Sequence, residues 1–441
     1  MKKGFALTDS LLAWCKENKM YLILDLHAAP GGQGHDLAIS DRDPSKPSTW
    51  DSRANQEKTI ALWRKLAERY ANEPWIGGYD IINEPNWGFE DKEDKRGTAE
   101  YKNEPLRKLL MEITTAIREV DQQHIIIIEG NGFGNNYRGV LPPWDDNLVL
   151  SFHKYGNFNN KASIQQFLNL REQYNIPLWL GESGENSNTW FTEAISLVEN
   201  EGIGWAWWQM KKMGINNPLE IVQPAGYEKL LAYWSGKGPR PDADSAWKIL
   251  EQLLDNLKIE NNRFHPDVVD AMIRQVQSEH TIPFRNYVLK GKLSIPAVDF
   301  DMGRQRFAYY DRDSARYQYT PGVNTIGNKG YTYRNDGVDI KMGKDGPVIF
   351  STEDGEWYSY TIQVEQAGTY NISAMLAADS TGSQISFNDL APVTVPIKQD
   401  NQTRTLLPLG KTSLKKGRFQ FKMNVVKGGF ELDTIHFEKI N

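Results

Sequence analysis

The chain has 441 residues, 39% hydrophobic and 24% charged, with Gly and Pro at ordinary levels, so it is a globular protein with material for more than one core rather than a disordered or fibrous one. Its 51 basic and 57 acidic residues leave a net charge of -6 without any Lys/Arg run, which argues against nucleic acid and anionic membrane as partners. The single cysteine, Cys15, excludes an intramolecular disulfide and a thiolate metal cluster.

Near the N-terminus, Leu7, Leu11, Leu12 and Cys15 are spaced for one helix face; Asp9 interrupts the apolar stretch and no small-residue cleavage site follows, so no signal peptide is read there. Helical spacing recurs at Ile60, Trp63, Leu66 and Tyr70, and at Leu106, Leu109, Leu110, Ile113 and Ile117, with further helices expected near 164–174, 191–198 and 247–257. Between them come short, uniformly apolar runs at 21–26, 76–82, 124–128, 148–152, 176–180 and 203–208, the pattern of buried parallel strands. This alternation predicts a parallel α/β fold.

Polar and acidic residues follow the carboxyl ends of these runs: Asp25 and His27, Asn83 and Glu84, Glu129, His153 and Tyr155, Glu182, and Trp208. That edge carries the active site of a (β/α)8 barrel, whereas a doubly wound sheet would show a glycine-rich phosphate turn, and no G-x-G-x-x-G or Walker sequence follows any strand. From about residue 285 the texture changes to short alternating runs at 348–351, 357–364, 369–375, 384–387, 393–397, 418–425 and 430–437, which predicts an antiparallel β-sandwich. Thirteen of the 14 Trp lie between Trp14 and Trp247, leaving only Trp357 beyond, so the two parts differ in kind. The expected division is a barrel over 1–258, a connector over 259–287 and a sandwich over 288–441.

Glu84 and Glu182 each stand at a strand end. Two carboxylates across a barrel mouth can serve as proton donor and nucleophile on an acetal, their separation deciding whether configuration is retained. A single glutamate there would more simply cap a helix or pair with lysine; two of them in a Trp-rich domain favour the chemical reading.

The segments Asp25-Leu26-His27-Ala28-Ala29-Pro30-Gly31, Asn83-Glu84-Pro85, His153-Lys154-Tyr155 and Gly181-Glu182-Ser183, in this order and spacing, resemble glycoside hydrolase family 5 over about residues 4 to 258. The resemblance implies a retaining β-glycosidase with Glu84 as general acid/base and Glu182 as nucleophile. Asn83 would bond the sugar 2-hydroxyl, Tyr155 would orient Glu182, His153 would line the pocket, and His27 and Trp208 would hold the sugar before the scissile bond. Trp205 and Trp207 are expected in the core, and Glu129 in a structural or subsite role. The implied substrate is a β-linked glucan, cut inside the chain, with an exo-β-1,3-glucanase or other β-glycanase as the alternative and a vestigial carbohydrate-binding protein as a second. No metal or organic cofactor is expected. A monomer is expected too, in an extracellular or periplasmic setting.

Only six of the eight barrel strands are read; two βα units and the arginine of the second would precede the opening helix, and an open sheet lacking them is expected to fold poorly and hydrolyse little. In the second part, Asn335-Asp336-Gly337-Val338-Asp339-Ile340, Gly355-Glu356-Trp357-Tyr358-Ser359-Tyr360-Thr361 and Gly428-Gly429-Phe430-Glu431-Leu432-Asp433 resemble a family 6 carbohydrate-binding module. Such modules hold sugar between aromatic rings beside an asparagine. Here Ser351 stands where one ring is usual, 399–407 holds no aromatic, Glu431 replaces the asparagine, and Trp357 is expected in the core, so a weak or structural module is anticipated.

Overall fold

The computed structural model describes residues 2–312, 323, 327–379, 381–398 and 404–440; residues 399–403 of the aromatic-free stretch lie outside them. By its internal contacts the chain forms two compact units. One takes the chain through Lys154 with Asn160–Ser183 and Val198–Ala206, the other Tyr155–Asn159, Gly184–Leu197 and everything from Trp207.

The first unit is built on six parallel strands, β1 (Leu22–Asp25), β2 (Ile76–Asp80), β3 (Ile126–Glu129), β4 (Leu148–Lys154), β5 (Leu178–Ser183) and β6 (Gly204–Trp205), hydrogen-bonded in that order. This is the sequential order of a (β/α)8 barrel, and all six expected strands are present. Register sets Glu129 beside Ser151 and His153 beside Glu182, so the strand ends bring polar side chains to one edge. β4 and β5 run past their apolar stretches, making His153 and Glu182 strand residues. β6 is shorter than expected, and its Gly204 admits the Trp179 ring, which lies 2.6 Å from where a Cβ would stand.

Helices fall where the spacing places them. Arg53–Tyr70 is capped by Ser52, whose side chain accepts from the Asn55 N–H, and buries Trp63, whose Nε1 donates to Ile81 O at 2.8 Å. Glu104–Arg118 buries Leu106, Leu109, Leu110, Ile113 and Ile117, each worth about 1.5–3 kcal/mol against exposure. Lys2–Glu17 differs from expectation: Leu12 and Cys15 turn inward, but Leu7 and Leu11 face solvent. The face that packs is set by polar ties, Asp9 to Arg69 and Tyr70 and Lys16 to Glu73, which rotate Leu7 and Leu11 outward.

The second unit holds the sandwich. One sheet runs Tyr287–Leu289, Trp357–Val364, Gly417–Lys427, Gln384–Phe387, Val393–Thr394; the other runs Ile340–Met342, Pro347–Ile349, Phe430–Lys439, Gly368–Ala378, Thr405–Leu414. All pairings along these two paths are antiparallel except the first, and the core closes on Tyr360, Phe387, Phe421 and Phe437 with ring centroids 5.0–5.9 Å apart. Trp357 is not core: it is part-exposed, with Lys422 Nζ 3.6 Å above its ring. Trp205 and Trp207 are likewise only partly buried, Trp205 donating to Glu199 and Trp207 meeting Phe191 edge-on.

Residues 266–272 and 274–277, inside the expected connector, are helical, and the first of these helices carries buried Asp267, Val268 and Ala271. Asp267 joins a buried polar network of the same unit. Asn188 Nδ2 donates to Asp267 at 2.8 Å and to Asp336 at 3.1 Å, while Asn335 donates through its backbone to Asp267 and through its side chain to Asn186 O. Arg334, fully buried, pairs with Asp336 at 2.7 Å.

Candidate active site

The site assembles at the carboxyl ends of β1 to β5. β2 is apolar until Asp80, continues as Ile81-Ile82, and is tied to its neighbours by Ile81 N–H to Ile127 O and Asn83 N–H to Leu26 O. The chain then turns sharply. Glu84 has φ +42°, a left-handed conformation that non-glycine residues adopt only when their surroundings impose it. Its N–H donates to Glu129 Oε2 at 2.7 Å. From β4, His153 brings Nδ1 to 2.7 Å from Glu84 Oε1, 3.9 Å from Glu182 Oε1, and Nε2 to 3.2 Å from Glu129 Oε1.

Glu84, His153 and Glu182 are thus brought together, their nearest donor atoms all within 4.8 Å of one another, a spacing at which three such groups could also share a cation. Asn83 is buried beside them, and its Nδ2 has no hydrogen-bond partner. A buried donor left so costs about 1–3 kcal/mol, which a ligand oxygen would recover. His27 is part-exposed, 3.3 Å from Asp25. The bond to Asp25 raises its pKa against the effect of burial, and the charges of Asp25, Glu182 and Glu84 add to the rise. Tyr155 and Trp208 fall in the second unit, where Trp208 bridges to Gly184.

Three pKa shifts follow from the surroundings. Burial disfavours the His153 cation, yet Glu129, Glu84 and Glu182 outweigh it and hold its pKa well above the ordinary value. Burial pushes Asp80 well above the carboxylate range, reinforced by Glu129 and Asp25. Burial also raises Glu129, with His153 opposing.

Gln33 and Asn86 join the loops of this site without a signal in the sequence. Gln33 accepts from Ala29 N–H and donates to His27 O and Asn83 O, pinning the first loop to the Asn83 turn. Asn86 holds the Asp36 N–H and donates to Glu84 O. Both lie in aperiodic loops, where no spacing marks them. Asp80 carried a signal, a carboxylate inside an otherwise apolar run.

Residues 2–214 match the family model described as cellulase, glycosyl hydrolase family 5. The chain is 24% identical over 315 residues to a β-xylosidase of Phanerodontia chrysosporium, covering 62% of this chain and 63% of that protein. It is 26% identical over 288 residues to endoglucanase C of Acetivibrio thermocellus, covering 51% and 78%. Among solved structures, endoglucanase Cel5A of Thermotoga maritima aligns at 18% identity and TM-score 0.36 over 47% of this chain and 71% of that one. The C-terminal CBM6 of LamC, a marine laminarinase of Zobellia galactanivorans, aligns at 18% identity and TM-score 0.25 over 34% and 99%.

Proposed function

We propose, on the premise that residues 2–214 belong to glycosyl hydrolase family 5, that the protein cleaves a β-linked glucan with retention of configuration. The observation that carries this reading is the spacing of Glu84 and Glu182. Nearest oxygens within 4.8 Å suit a direct nucleophile, since an inverting pair stands about 6.5–9.5 Å apart to admit a water. Glu182 attacks the anomeric carbon while Glu84 protonates the departing oxygen; water, deprotonated by Glu84, then displaces Glu182. Two carboxylates and one water balance both steps.

Asn83 Nδ2 is the donor for the sugar 2-oxygen, a bond that strengthens as the ring flattens toward the oxocarbenium ion. Asn83→Ala is expected to lower kcat/KM about 10- to 100-fold on a glucoside and to change little on the 2-deoxy analogue; equal losses on both would remove this role. His27 contacts the sugar preceding the scissile bond, and Tyr155 and Trp208 keep the roles the family implies, hydroxyl donor and sugar platform. Cleavage inside the chain is the preferred mode. Product profiles on laminarin, a soluble cellulose derivative and mannan test it: mixed oligosaccharides support endo action, and glucose alone supports an exo-β-1,3-glucanase.

The sandwich is proposed as a structural module with weak affinity for glucan. Where a sugar-stacking cleft would want an asparagine, Glu431 is held by Lys341 at 2.6 Å and Arg404 at 2.8 Å, and Ser351 meets Lys329 instead of presenting a ring. Full-length protein carrying Glu182→Ala, titrated calorimetrically with cello- and laminari-oligosaccharides, is expected to show one site per chain. A second site of micromolar affinity would overturn the structural reading. No helix among the described residues is long and apolar enough to cross a membrane, and export to an extracellular or periplasmic space is proposed from the family.

A further inference from the structure

We propose that Glu129 is a positioning residue for the acid/base, fixing Glu84 from two sides, by its backbone and through His153. The inference rests on the assignment of Glu84 as acid/base. Its carboxylate is one corner of a closed ring of contacts: Glu129 Oε2 takes the Glu84 N–H at 2.7 Å, Glu129 Oε1 lies 3.2 Å from His153 Nε2, and His153 Nδ1 returns to Glu84 Oε1 at 2.7 Å.

The backbone arm holds a strained turn. Glu84 at φ +42° is a conformation costing about 1–3 kcal/mol, and the residue after it is Pro85, so a carboxylate gripping its N–H selects this turn over alternatives. The fold leaves room for that grip. Gly134, at φ +81°, would place a Cβ 2.8 Å from Glu129 Oε2, so any larger residue there would displace the carboxylate.

The imidazole arm selects an oxygen. With a carboxylate facing each ring nitrogen, the Glu84 bond at 2.7 Å and the ion-pair contact with Glu129 at 3.2 Å are both favourable only when His153 carries two N–H groups. Glu84 Oε1 is then an acceptor, and its catalytic proton sits on Oε2, the oxygen left for the glycosidic bond. A subsite role for Glu129 is disfavoured, because it is 1% exposed and offers sugar no surface. The titratable groups around it are Glu84, His153, Asp80, Asp25 and Tyr137.

The test uses Glu129→Gln and Glu129→Asp in the full chain with two aryl β-glucosides. A dinitrophenolate departs without a proton, whereas a phenolate needs Glu84. Glu129→Gln is expected to lower kcat on the phenyl glucoside about 100-fold and on the dinitrophenyl glucoside less than threefold, with Glu129→Asp intermediate. Equal loss on both, the mark of a merely structural residue, or no loss on either, overturns the proposal. Nitrogen chemical shifts of His153 supply a readout free of turnover: its titration midpoint is expected to fall in Glu129→Gln, and an unchanged midpoint also overturns the proposal. If the unaltered chain hydrolyses neither glucoside, the hydrolase reading fails, while the His153 shifts still decide whether Glu129 governs its neighbours.

Discussion

Glu182→Ala is expected to lower kcat by roughly 10⁴-fold or more, with oligosaccharide binding retained. Among the described residues, no other carboxylate at this edge is placed to form the proposed glycosyl intermediate: Glu84 is engaged by His153 at 2.7 Å, and Glu129 is buried behind the imidazole. Removing the carboxylate leaves a gap that a small anion can enter. Azide is expected to restore turnover on an activated β-glucoside and to yield the α-glucosyl azide, since it attacks from the face that Glu182 occupied. Glu84→Ala is expected to give the β-azide, because there the enzyme intermediate forms first and azide displaces it from the opposite face. Unchanged activity of Glu182→Ala, or the same anomer from both variants, would refute the assignment.

Arg334→Ala is expected to destabilise the second unit by about 3–5 kcal/mol, the penalty for stranding a buried charge. Arg334 is inaccessible to solvent, pairs with Asp336, donates to Phe300 O, and lies 3.7 Å from the centre of the Phe300 ring and 4.5 Å from that of Phe284. Burial already pushes the Asp336 carboxyl up to about 6 with the guanidinium present to oppose it. Without the cation, Asp336 must take a proton or remain an uncompensated anion, and Asn188 loses a charged acceptor at 3.1 Å. Urea unfolding followed by tyrosine fluorescence measures the effect, and a loss below about 1 kcal/mol would show that the surroundings accommodate the gap without the ion pair. Arg334→Lys is expected to recover only part, since an ammonium cannot span Asp336 and the carbonyls of residues 298–301 together.

The sheet of the first unit is legible in the sequence because its strands are uniformly apolar; Ile126 to Ile128 fit nothing but a strand buried on both faces. The two carboxylates proposed as catalytic, Glu84 and Glu182, are legible for the same reason, standing where the apolar runs stop. The partnership of Glu129 with Glu84 and His153 is not, because it depends on how far β4 runs and on the conformation of a single residue, Glu84. In the sandwich, Thr405–Leu414 is a full strand that the alternation of the sequence does not mark. Only Leu409 and Leu414 are buried, and Pro408 and Gly410 interrupt the alternation, both tolerable because it closes the edge of its sheet. Trp357 misled for a related reason. Its hydrophobic bulk suggests a core position, but a face covered by the Lys422 ammonium satisfies it as well.

The polar network around Asn188 has a consequence for how the chain is made. Besides Asp267, Asn188 bonds Asn335 and Asp336, and Asn186 O accepts from Asn335, across 147 to 149 positions. At about 5–20 residues per second, a ribosome takes on the order of ten to thirty seconds to cover that interval. During it the loop that follows β5 has been synthesised while Asn335 and Asp336, which complete its hydrogen bonds, have not. The hydrogen bonds of the segment leading away from Glu182 are therefore completed only once residues 335 and 336 have been made.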